Sequence, residues 1–497
     1  MITDFLQSKC SLYLRQLGRI ALSVMLCLFL GMLPPSAEGQ TSIYPGTTAP
    51  TGSIGNISTF GGTQNPFTGS VSSGRATNAT IPLTFDDAIN RGLKQNLGLL
   101  LASDETLSAR GQRWKELSNL LPNVNASLAE NVQTVSLAQF GFRIPGIPRV
   151  VGPFNYSDLR GAVNQSLFNF NFIEKERAAT QNVKSAQFNY KDSRELVVLA
   201  VGNAYLQALA GTARVETAEA QVKTAQALYT KALDQQRVGV SPAIDVLRAQ
   251  VELQNRQQQL IFARNDFAKQ KLALARIIGL PSGQEFSLAD KVPYAPLTTQ
   301  GLEQSLQRAY ASRPDYQAAL SRVRSAELSR RAATAEHFPS LDIEADYGDI
   351  GVSPFRSNGT YHVAGSVNIP VFQGGRIRGD TLQAEASLRQ ARNQAENLRG
   401  QIDYEVRTAM LDLDAAADQV QVAQSSVGLA QQTLIQAQDR FSAGVTDNLE
   451  VIQAQEAVAS ANESYIASLY AHNLAKVEFA KAIGFAEQGV KNYLKGK

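Results

Sequence analysis

The sequence repeats itself at a fixed distance of 205 residues. Residues Gly239–Gln250 read GVSPAIDVLRAQ, and residues Gly444–Gln455 read GVTDNLEVIQAQ. The same offset carries LARIIG at Leu274–Gly279 onto FAKAIG at Phe479–Gly484, so no insertion separates the two pairs of segments. A fixed internal period indicates that one structural unit was duplicated, and this period is much longer than that of a solenoid repeat. The chain must therefore fold as two similar halves that each contain several elements.

The composition excludes several classes of function. The formal net charge of the 497 residues is only +3, so a nucleic-acid partner gains no support from charge. His337, His362 and His472 have no metal-ligand spacing to one another or to a cysteine. The sequence contains no phosphate loop, zinc motif or nucleophile elbow. We therefore expect no catalytic residue, no cofactor and no metal site.

The N-terminus has the features of a secretory signal peptide over residues 1–39. Basic residues precede a short apolar run, Ile20–Leu33, and small residues follow it. Both cysteines, Cys10 and Cys27, lie in this segment, and Cys27 lacks the small residue expected just before a lipid-acceptor cysteine. Residues 40–82 are rich in Thr, Ser, Gly and Pro, which predicts a flexible leader.

Hydrophobic periodicity predicts the same order of elements in both repeats: helix, strand, strand, long helix, helix. We assign the first repeat to residues 83–280, an equatorial linker to 281–299, the second repeat to 300–485 and a C-terminal tail to 486–497. The expected strands cover about residues 123–137, 158–168, 340–349 and 360–371. The expected helices cover about residues 83–120, 173–238, 242–278, 300–336, 377–442 and 447–483.

The strands of the second repeat alternate cleanly between apolar and polar residues. Leu341, Ile343 and Tyr347 lie on one side, and Asp342 and Asp346 lie on the other. A half-buried sheet in a soluble protein gives this pattern, and so does a membrane barrel with lipid outside and water inside. Four strands cannot close such a barrel, because the smallest have about eight. A membrane barrel therefore requires several protomers to pool their strands.

The long helices carry heptad spacing with alternating large residues and alanine. In the second repeat the row reads Val406, Ala409, Leu413, Ala416, Val420, Ala423, Val427, Ala430, Leu434, Ala437 and Phe441. This spacing predicts coiled-coil-like packing, although alanine supplies little apolar area, so each helix needs neighbours on more than one side. About 66 residues span roughly 100 Å, and each shorter helix spans roughly 55 Å. Two short helices stacked end to end match one long helix, as the wall of a tube requires.

This duplicated layout resembles the TolC-like outer membrane factor family of Gram-negative export channels. The resemblance covers about residues 83–485. It rests on two helix-turn-helix tips, RVGVSPAIDVLRAQ and SAGVTDNLEVIQAQ, on the helix-to-strand junctions LLPNVN and HFPSLD, and on the strand-to-helix junction NIPVFQGGRIRG.

The resemblance implies a mainly α fold with β strands and a homotrimer. Three chains would close a twelve-stranded barrel in the outer membrane, continued by an α-helical barrel through the periplasm. The loops at residues 140–156 and 349–360 would be extracellular. The channel would conduct substrate passively for a tripartite efflux or type I secretion system, in contact with outer-membrane lipid, a periplasmic adaptor and an inner-membrane pump.

The resemblance also implies roles for residues at the two tips. The adaptor-docking turns would be formed by Val238, Gly239, Val240 and Ser241 and by Ala443, Gly444, Val445 and Thr446. The periplasmic gate would be lined by Asp245, Glu450, Gln453 and Arg248. Gln453 and Thr446 depart from the family pattern, since an acidic residue and an arginine can stand there. From the residues alone, a carboxylate in the first turn of a helix is also explained by the helix dipole.

A second hypothesis is a periplasmic coiled-coil adaptor or scaffold with a soluble sheet. It accounts for the heptads. It does not account for two strands at equivalent places in each repeat.

Overall fold

The computed structural model describes residues 65–72, 74–137, 141, 148–290, 294–297, 301–353, 356–446 and 448–494, which belong to one compact unit starting at Thr63. The predicted signal peptide and most of the leader lie outside the described residues. The helices are α1 (Phe85–Gln95), α2 (Leu97–Ser118), α3 (Phe170–Arg237), α4 (Ala243–Ile278), α5 (Leu302–Ser312), α6 (Pro314–Ala335), α7 (Arg376–Ser442), α8 (Asn448–Ala482) and α9 (Ala486–Leu494). The strands are β1 (Ile81–Leu83), β2 (Asn123–Ser136), β3 (Val150–Phe168), β4 (Phe286–Leu288), β5 (Ser340–Ser353) and β6 (Arg356–Asn368).

The mainly helical fold with a small antiparallel sheet confirms the predicted fold class. Each repeat contains helices, two strands, one long helix of 68 or 67 residues and a returning helix. Thr84 caps α1 as expected, because its Oγ1 accepts a hydrogen bond from the backbone N–H of Asp87 at 3.1 Å.

The first helix of each repeat is interrupted, which the periodicity did not predict. Asn96 and Arg313 adopt extended backbone conformations between α1 and α2 and between α5 and α6. Asn96 restarts its helix by accepting a hydrogen bond from the Gly98 N–H. Arg313 is followed by Pro314, which disfavours helical geometry in the residue before it and starts the next helix.

Four strands form one antiparallel sheet in the order β2-β3-β5-β6. β3 begins at Val150 and β5 continues to Ser353, so the two expected loops are shorter than predicted. The outer ends of these strands remain paired through their backbones, as at Gly351 opposite Ser357. Their side chains no longer alternate there, and alternation was the only signal of a strand in the sequence. β6 ends at Asn368, before the expected residue 371, because Pro370 has no N–H to donate.

The predicted leader, linker and tail all contain ordered structure. β1 in the leader pairs in parallel with β4 in the linker, with Leu83 opposite Leu288. The expected C-terminal tail forms α9, whose Ala486, Val490 and Leu494 are spaced by four and buried. This spacing places the three side chains on one face of a helix. The prediction of a flexible leader was therefore wrong at Ile81 and Pro82, and the predicted tail contains a helix.

Three apolar clusters hold the helices together. The largest surrounds the middle of α3 at Val197, Val201 and Tyr205 and includes α1, α4, α8 and α9. The second joins α5, α7 and α8, and the third lies at the hairpin tips. α3 is long and apolar enough to cross a membrane, but half of its apolar window is buried in the protein. Its apolar middle is therefore explained as part of this core.

The predicted heptad row of α7 is the buried face of that helix. Val406, Leu413 and Val420 are at most 2% exposed, and the alanines between them are also buried. The row is buried again at Ala437 and Phe441. The coiled-coil-like packing predicted from the spacing is confirmed.

Candidate channel wall and entrance

One face of the sheet exposes a continuous set of apolar side chains. Val124, Leu128 and Val132 on β2 are 71–74% exposed, and Tyr361 and Val363 on β6 are 79% and 68% exposed. A soluble monomer rarely leaves so large an apolar surface in water. This face requires a cover such as lipid.

Aromatic residues border this apolar band at both ends. Tyr347 and Tyr361 are cross-strand partners at one end. At the other end the rings of Phe168 and Phe170 lie 4.5 Å apart, and Phe338 lies 5.4 Å from Phe170. Six residue steps separate Leu341 from Tyr347, or roughly 20 Å of strand. Aromatic girdles around an apolar band about 25 Å tall are typical of membrane barrels.

The opposite face of the sheet is polar and is organised around Arg160. Its guanidinium pairs with Asp158 at 3.4 Å and with Asp346 on β5, and it donates to Thr360 on β6 at 3.4 Å. His362 Nδ1 lies 3.6 Å from Asp346. The arrangement matches the polar interior of a barrel.

The two tips end their long helices with the same backbone motif. Val240 N donates to Gln235 O at 2.9 Å, and Gly239 N donates to Gln236 O at 3.0 Å. In the second tip, Val445 N donates to Arg440 O, and Gly444 N donates to Phe441 O. Gly239 and Gly444 have φ values of +76° and +71°. These are Schellman motifs, in which glycine supplies the left-handed residue.

The turn residues are exposed beyond the last packed layer. Val238, Val240 and Val445 are 69–75% exposed. Behind the turns, all four long and returning helices share one apolar cluster, made of Leu228, Ala232, Val246, Ala249, Ala437, Phe441, Val451 and Ala454. Exposed apolar turns on a rigid base are suited to binding a partner.

The carboxylate of Asp245 does not face open solvent in this chain. Asp245 is 5% exposed. It accepts a hydrogen bond from Ser241 Oγ at 2.8 Å, and Arg248 lies 3.7 Å away. Asn448 of the second hairpin donates from Nδ2 to the Asp245 backbone oxygen at 2.8 Å. The acidic residue of the first tip is therefore held in the contact between the two hairpins.

The equivalent carboxylate of the second tip is placed differently. Glu450 is 37% exposed, and its Oε1 lies 3.1 Å from Arg440 Nη1. Gln453 is exposed, where the first repeat has Arg248. The structure thus places Asp245 and Arg248 next to each other. Gln453 lies in a different environment, because its side chain is exposed. Sequence comparison of the repeats did not identify Arg440, which stands where the first repeat has Gln235.

Two helices are apolar on opposite faces. α4 buries Val246 and Leu253 yet exposes a heptad-spaced stripe made of Ile244, Leu247, Val251, Ile261 and Leu272. α7 buries its predicted row yet exposes a stripe made of Tyr404, Leu411, Val422 and Leu429. These surfaces have no partner among the described residues, so the protomer presents two helix faces that fit further helices.

A buried group of charges around Arg313, at the break between α5 and α6, was not predicted from the sequence. Arg313 is 2% exposed, and it pairs with Asp315 and Glu405 at 2.6 Å each. Burial opposes ionisation of both acids, but Arg313 outweighs it and lowers the pKa of each. Arg313 and Asn96 lie at equivalent helix breaks in the structure, but the 205-residue period does not align them, so the repeat gave no signal for Arg313.

A second buried pair lies on α8. His472 and Lys476 are both 0% exposed, and Lys476 donates to the Ala295 carbonyl. Burial, with help from Lys476, lowers the pKa of His472 to about 4, and burial lowers the pKa of Lys476 to about 8. Among the described residues no group of three or more His, Cys, Asp or Glu side chains could hold a metal ion.

The family and its relatives agree with this geometry. The model of the family described as "Outer membrane efflux protein" matches residues 88–280 and 305–485. The chain is 24% identical over 417 residues to the "Probable efflux pump outer membrane protein TtgC" of Pseudomonas putida, covering 80% of this chain and 82% of that protein. It is 23% identical over 388 residues to the "Outer membrane protein TolC" of Vibrio cholerae, covering 75% and 84%.

Solved structures share the fold at low sequence identity. The outer membrane protein VceC of Vibrio cholerae superposes with a TM-score of 0.69 at 19% identity, covering 81% of this chain and 96% of VceC. The CmeC outer membrane channel of Campylobacter jejuni superposes with a TM-score of 0.70 at 17% identity, covering 92% and 99%. The predicted TolC-like fold, outer-membrane location and role in export are confirmed over the adaptor alternative. With both repeats matched by the family model, the chain belongs to the outer membrane efflux protein family.

Proposed function

We propose that three copies of the chain close one passive channel through the outer membrane and the periplasm. The observation that carries the proposal is the exposed apolar face of a sheet that ends in two edge strands, β2 and β6. All neighbouring strands of the sheet are antiparallel, so β6 of one copy and β2 of the next also run antiparallel. Three four-stranded sheets would close a twelve-stranded barrel, and an even number of antiparallel strands is usual in such barrels.

The exposed stripes of α4 and α7 fit the same assembly. In a closed tube each helix has neighbours on both sides, and the two stripes lie opposite the faces already packed within the protomer. At 1.5 Å per residue, α3 and α7 each give the tube a length of roughly 100 Å. In this assembly the repeats are the structural halves at residues 83–280 and 300–485, with residues 1–39 removed as a signal peptide.

The apolar band between the aromatic girdles would contact outer-membrane lipid, and the polar face would line the water-filled lumen. Among the described residues, that face carries two arginines, Arg160 and Arg356 at the outer end of β6, against four carboxylates, at Asp158, Asp342, Glu344 and Asp346. A cavity lined mainly by one sign of charge concentrates the opposite ion. We therefore expect the open channel to favour cations over anions.

The tips would form the periplasmic entrance and dock the adaptor of an inner-membrane pump. The relatives named as efflux pump proteins support such partners. The exposed turns at Val238, Gly239, Val240 and Ser241 and at Ala443, Gly444, Val445 and Thr446 supply the docking surface. Arg248, Glu450 and Gln453 would line the gate, whereas the carboxylate of Asp245, expected there from the sequence, is buried in the contact between the two hairpins. The Arg440–Glu450 pair and the Asn448–Asp245 bond hold each protomer's tip closed.

The assembly is tested by substituting the exposed stripe of α4. Leu247→Glu combined with Ile261→Glu places charge in the proposed contact between copies, so the detergent-solubilised protein should lose its trimer and its conductance in planar bilayers. Gln257→Glu is exposed on the same helix outside the stripe and serves as the matched control. A wild-type protein that is monomeric and non-conducting contradicts the proposal, as does a double variant that remains a conducting trimer.

The gate is tested separately with Glu450→Gln. Loss of the pair with Arg440 should raise single-channel conductance or weaken block by cations added to the periplasmic side. Glu463→Gln breaks an exposed pair with Arg214 away from the tip and should change neither. Conductance and block unchanged in Glu450→Gln would leave Glu450 as a surface residue only.

A further inference from the structure

The C-terminal helix α9 docks through a close contact between two turns. Gly484, with φ of +69°, lies against the break between α5 and α6, where an added Cβ would come within 2.8 Å of the Arg313 backbone. Ser312 Oγ donates to Ile483 O at 2.7 Å, and Arg313 Nη1 donates to Ala482 O at 3.3 Å. The start of α9 is therefore fixed by the same residues that interrupt the first helix of the second repeat.

A first charged group links α9 to the long helix α3. Arg194 Nε donates to Glu487 Oε2 at 2.8 Å. The N–H of Glu487, in the first turn of α9, donates to Glu195 Oε2 at 3.2 Å. Glu195 is 9% exposed. Glu487 is thus held by Arg194 through its side chain and by the buried Glu195 through its backbone N–H.

A second charged group lies beside the first. Arg313 pairs with Asp315 and Glu405, and Lys481 lies 3.4 Å from Glu405. Asp192 of α3 is influenced by all four of these charges. The two groups together contain five acids and three bases, which come from α3, α6, α7, α8 and α9. The acids are Asp192, Glu195, Asp315, Glu405 and Glu487, and the bases are Arg194, Arg313 and Lys481. Arg194, Glu195 and Glu487 also line one cavity together with Asp104, Arg110, Lys184, Lys191 and Arg324.

At Asp192 and Glu195, burial outweighs the interactions that favour the ionised form. Burial, aided by Asp315, raises the pKa of Asp192 to about 6. Burial raises the pKa of Glu195 to about 7, although the backbone N–H groups of Glu487 and Ala486 act in the opposite direction. Asp315 and Glu405 keep lowered pKa values beside Arg313, so they stay ionised while Asp192 and Glu195 titrate.

The first repeat places amide side chains at its equivalent junction. Gly279 packs against Gln95 as Gly484 packs against the second break. Asn96 stands where the second repeat has Arg313, and it donates to Phe67 O and accepts from the Gly98 N–H. In the second repeat, the same geometry is combined with the charged pairs of Arg313 with Asp315 and Glu405, and α9 is attached there.

We propose that the junction of α3, α6, α7, α8 and α9 is a pH-responsive clamp, which holds the C-terminal helix firmly in mildly acidic conditions and loosens as the pH rises. It acts on one helix contact and does not depend on the cargo or on the number of copies in the channel.

The direction follows from proton linkage. A carboxyl whose pKa is raised on docking binds its proton more tightly in the docked state than in the undocked state. The stabilisation is therefore complete below the ordinary pKa of a carboxyl and is lost as the pH rises through about 7 for Glu195. Each pKa unit corresponds to a tenfold change in an equilibrium constant, so docking should weaken about tenfold between pH 6 and pH 8.5.

Hydrogen exchange of the full mature protein in detergent tests this clamp. The protection of the backbone amides at 489–494, divided by the intrinsic exchange rate at each pH, is compared with that of the α3 core at 197–205. We expect the protection ratio to fall about tenfold from pH 6 to pH 8.5 in the wild type. In Glu195→Gln, which keeps an acceptor for the Glu487 N–H without the charge, the ratio should be nearly flat across this range.

The controls separate the clamp from general loss of structure. Glu463→Gln removes an exposed carboxylate on α8 and should keep the wild-type profile. Asp192→Asn should remove the part of the profile near pH 6. A wild-type ratio that is independent of pH overturns the proposal without any variant, and an unchanged pH profile in Glu195→Gln overturns the assignment to this junction.

Discussion

Asn448 of the second hairpin donates a hydrogen bond from Nδ2 to the backbone oxygen of Asp245 in the first hairpin, at 2.8 Å. Both residues are almost fully buried. Within the described residues of the tip, this bond ties a side chain of one repeat directly to the backbone of the other.

Asn448→Ala should loosen the contact between the two tips. The substitution leaves the Asp245 carbonyl without this donor, and an unsatisfied buried group costs about 1–3 kcal/mol. We expect higher or more frequently open conductance in planar bilayers, with faster hydrogen exchange in the first turns of α4 and α8. Ser460→Ala, exposed further along α8 and away from the tip, should behave as the wild type. Closed-state conductance and exchange that match the wild type would contradict a role for this bond.

Arg313→Met should strongly destabilise the helix packing around the break between α5 and α6. Removing a buried cation leaves Asp315 and Glu405 close together without their partner, and breaking a buried pair in this way costs about 3–5 kcal/mol. The measurement is denaturant unfolding of the solubilised protein. Arg392→Met removes a solvent-exposed arginine that pairs with Glu327, and it should have little effect. Equal stability of the two variants would show that the Arg313 group contributes nothing beyond a surface pair.

Gly484→Ala and Gly444→Ala separate backbone strain from steric contact. Both glycines have left-handed φ values, +69° and +71°, and a side chain there costs about 1–2 kcal/mol. An alanine at 484 would also come within 2.8 Å of the Arg313 backbone, whereas nothing lies within 4 Å at 444. We therefore expect a larger loss of thermal stability for Gly484→Ala. Equal losses would rule out the close contact between the two turns.

Val363→Arg and Ala364→Arg test which face of the sheet meets lipid. The two residues are neighbours on β6 and point to opposite faces. Arginine on the lipid face near the bilayer midplane costs about 2–4 kcal/mol, so Val363→Arg should reduce the amount of protein in outer-membrane fractions. Ala364→Arg should insert normally and lower the preference of the channel for cations. Impaired insertion of only Ala364→Arg would reverse the assignment of the faces.

The repeat and the helical periodicity were sufficient to predict the order of elements and both turns. The heptad row from Val406 to Phe441 identified the packed face of α7, because residues at this spacing lie on one side of a long helix. The extra length of β3 and β5 could not be read from the sequence, because paired backbone at their outer ends leaves no alternation of side chains.

The candidate site was less predictable than the fold. The sequence located Asp245 and Glu450, but their different environments depend on Asn448 and Arg440, which lie on other helices. The charges around Arg313 were missed for the same reason, because contacts between distant segments bring them together. The interruption at Arg313 did have a local signal, the following Pro314.

The edges of the four-stranded sheet have a consequence for biogenesis. The ladder ends at β2 on one side and β6 on the other, and each of these strands keeps one row of N–H and C=O groups without a partner strand in the described protomer. Hydrocarbon offers no substitute for those hydrogen bonds, so an open sheet cannot remain in a bilayer. In water the same edges invite pairing with any other strand. In the proposed assembly the exported chain would therefore join its copies before or during entry into the membrane, so that insertion and assembly would be one event.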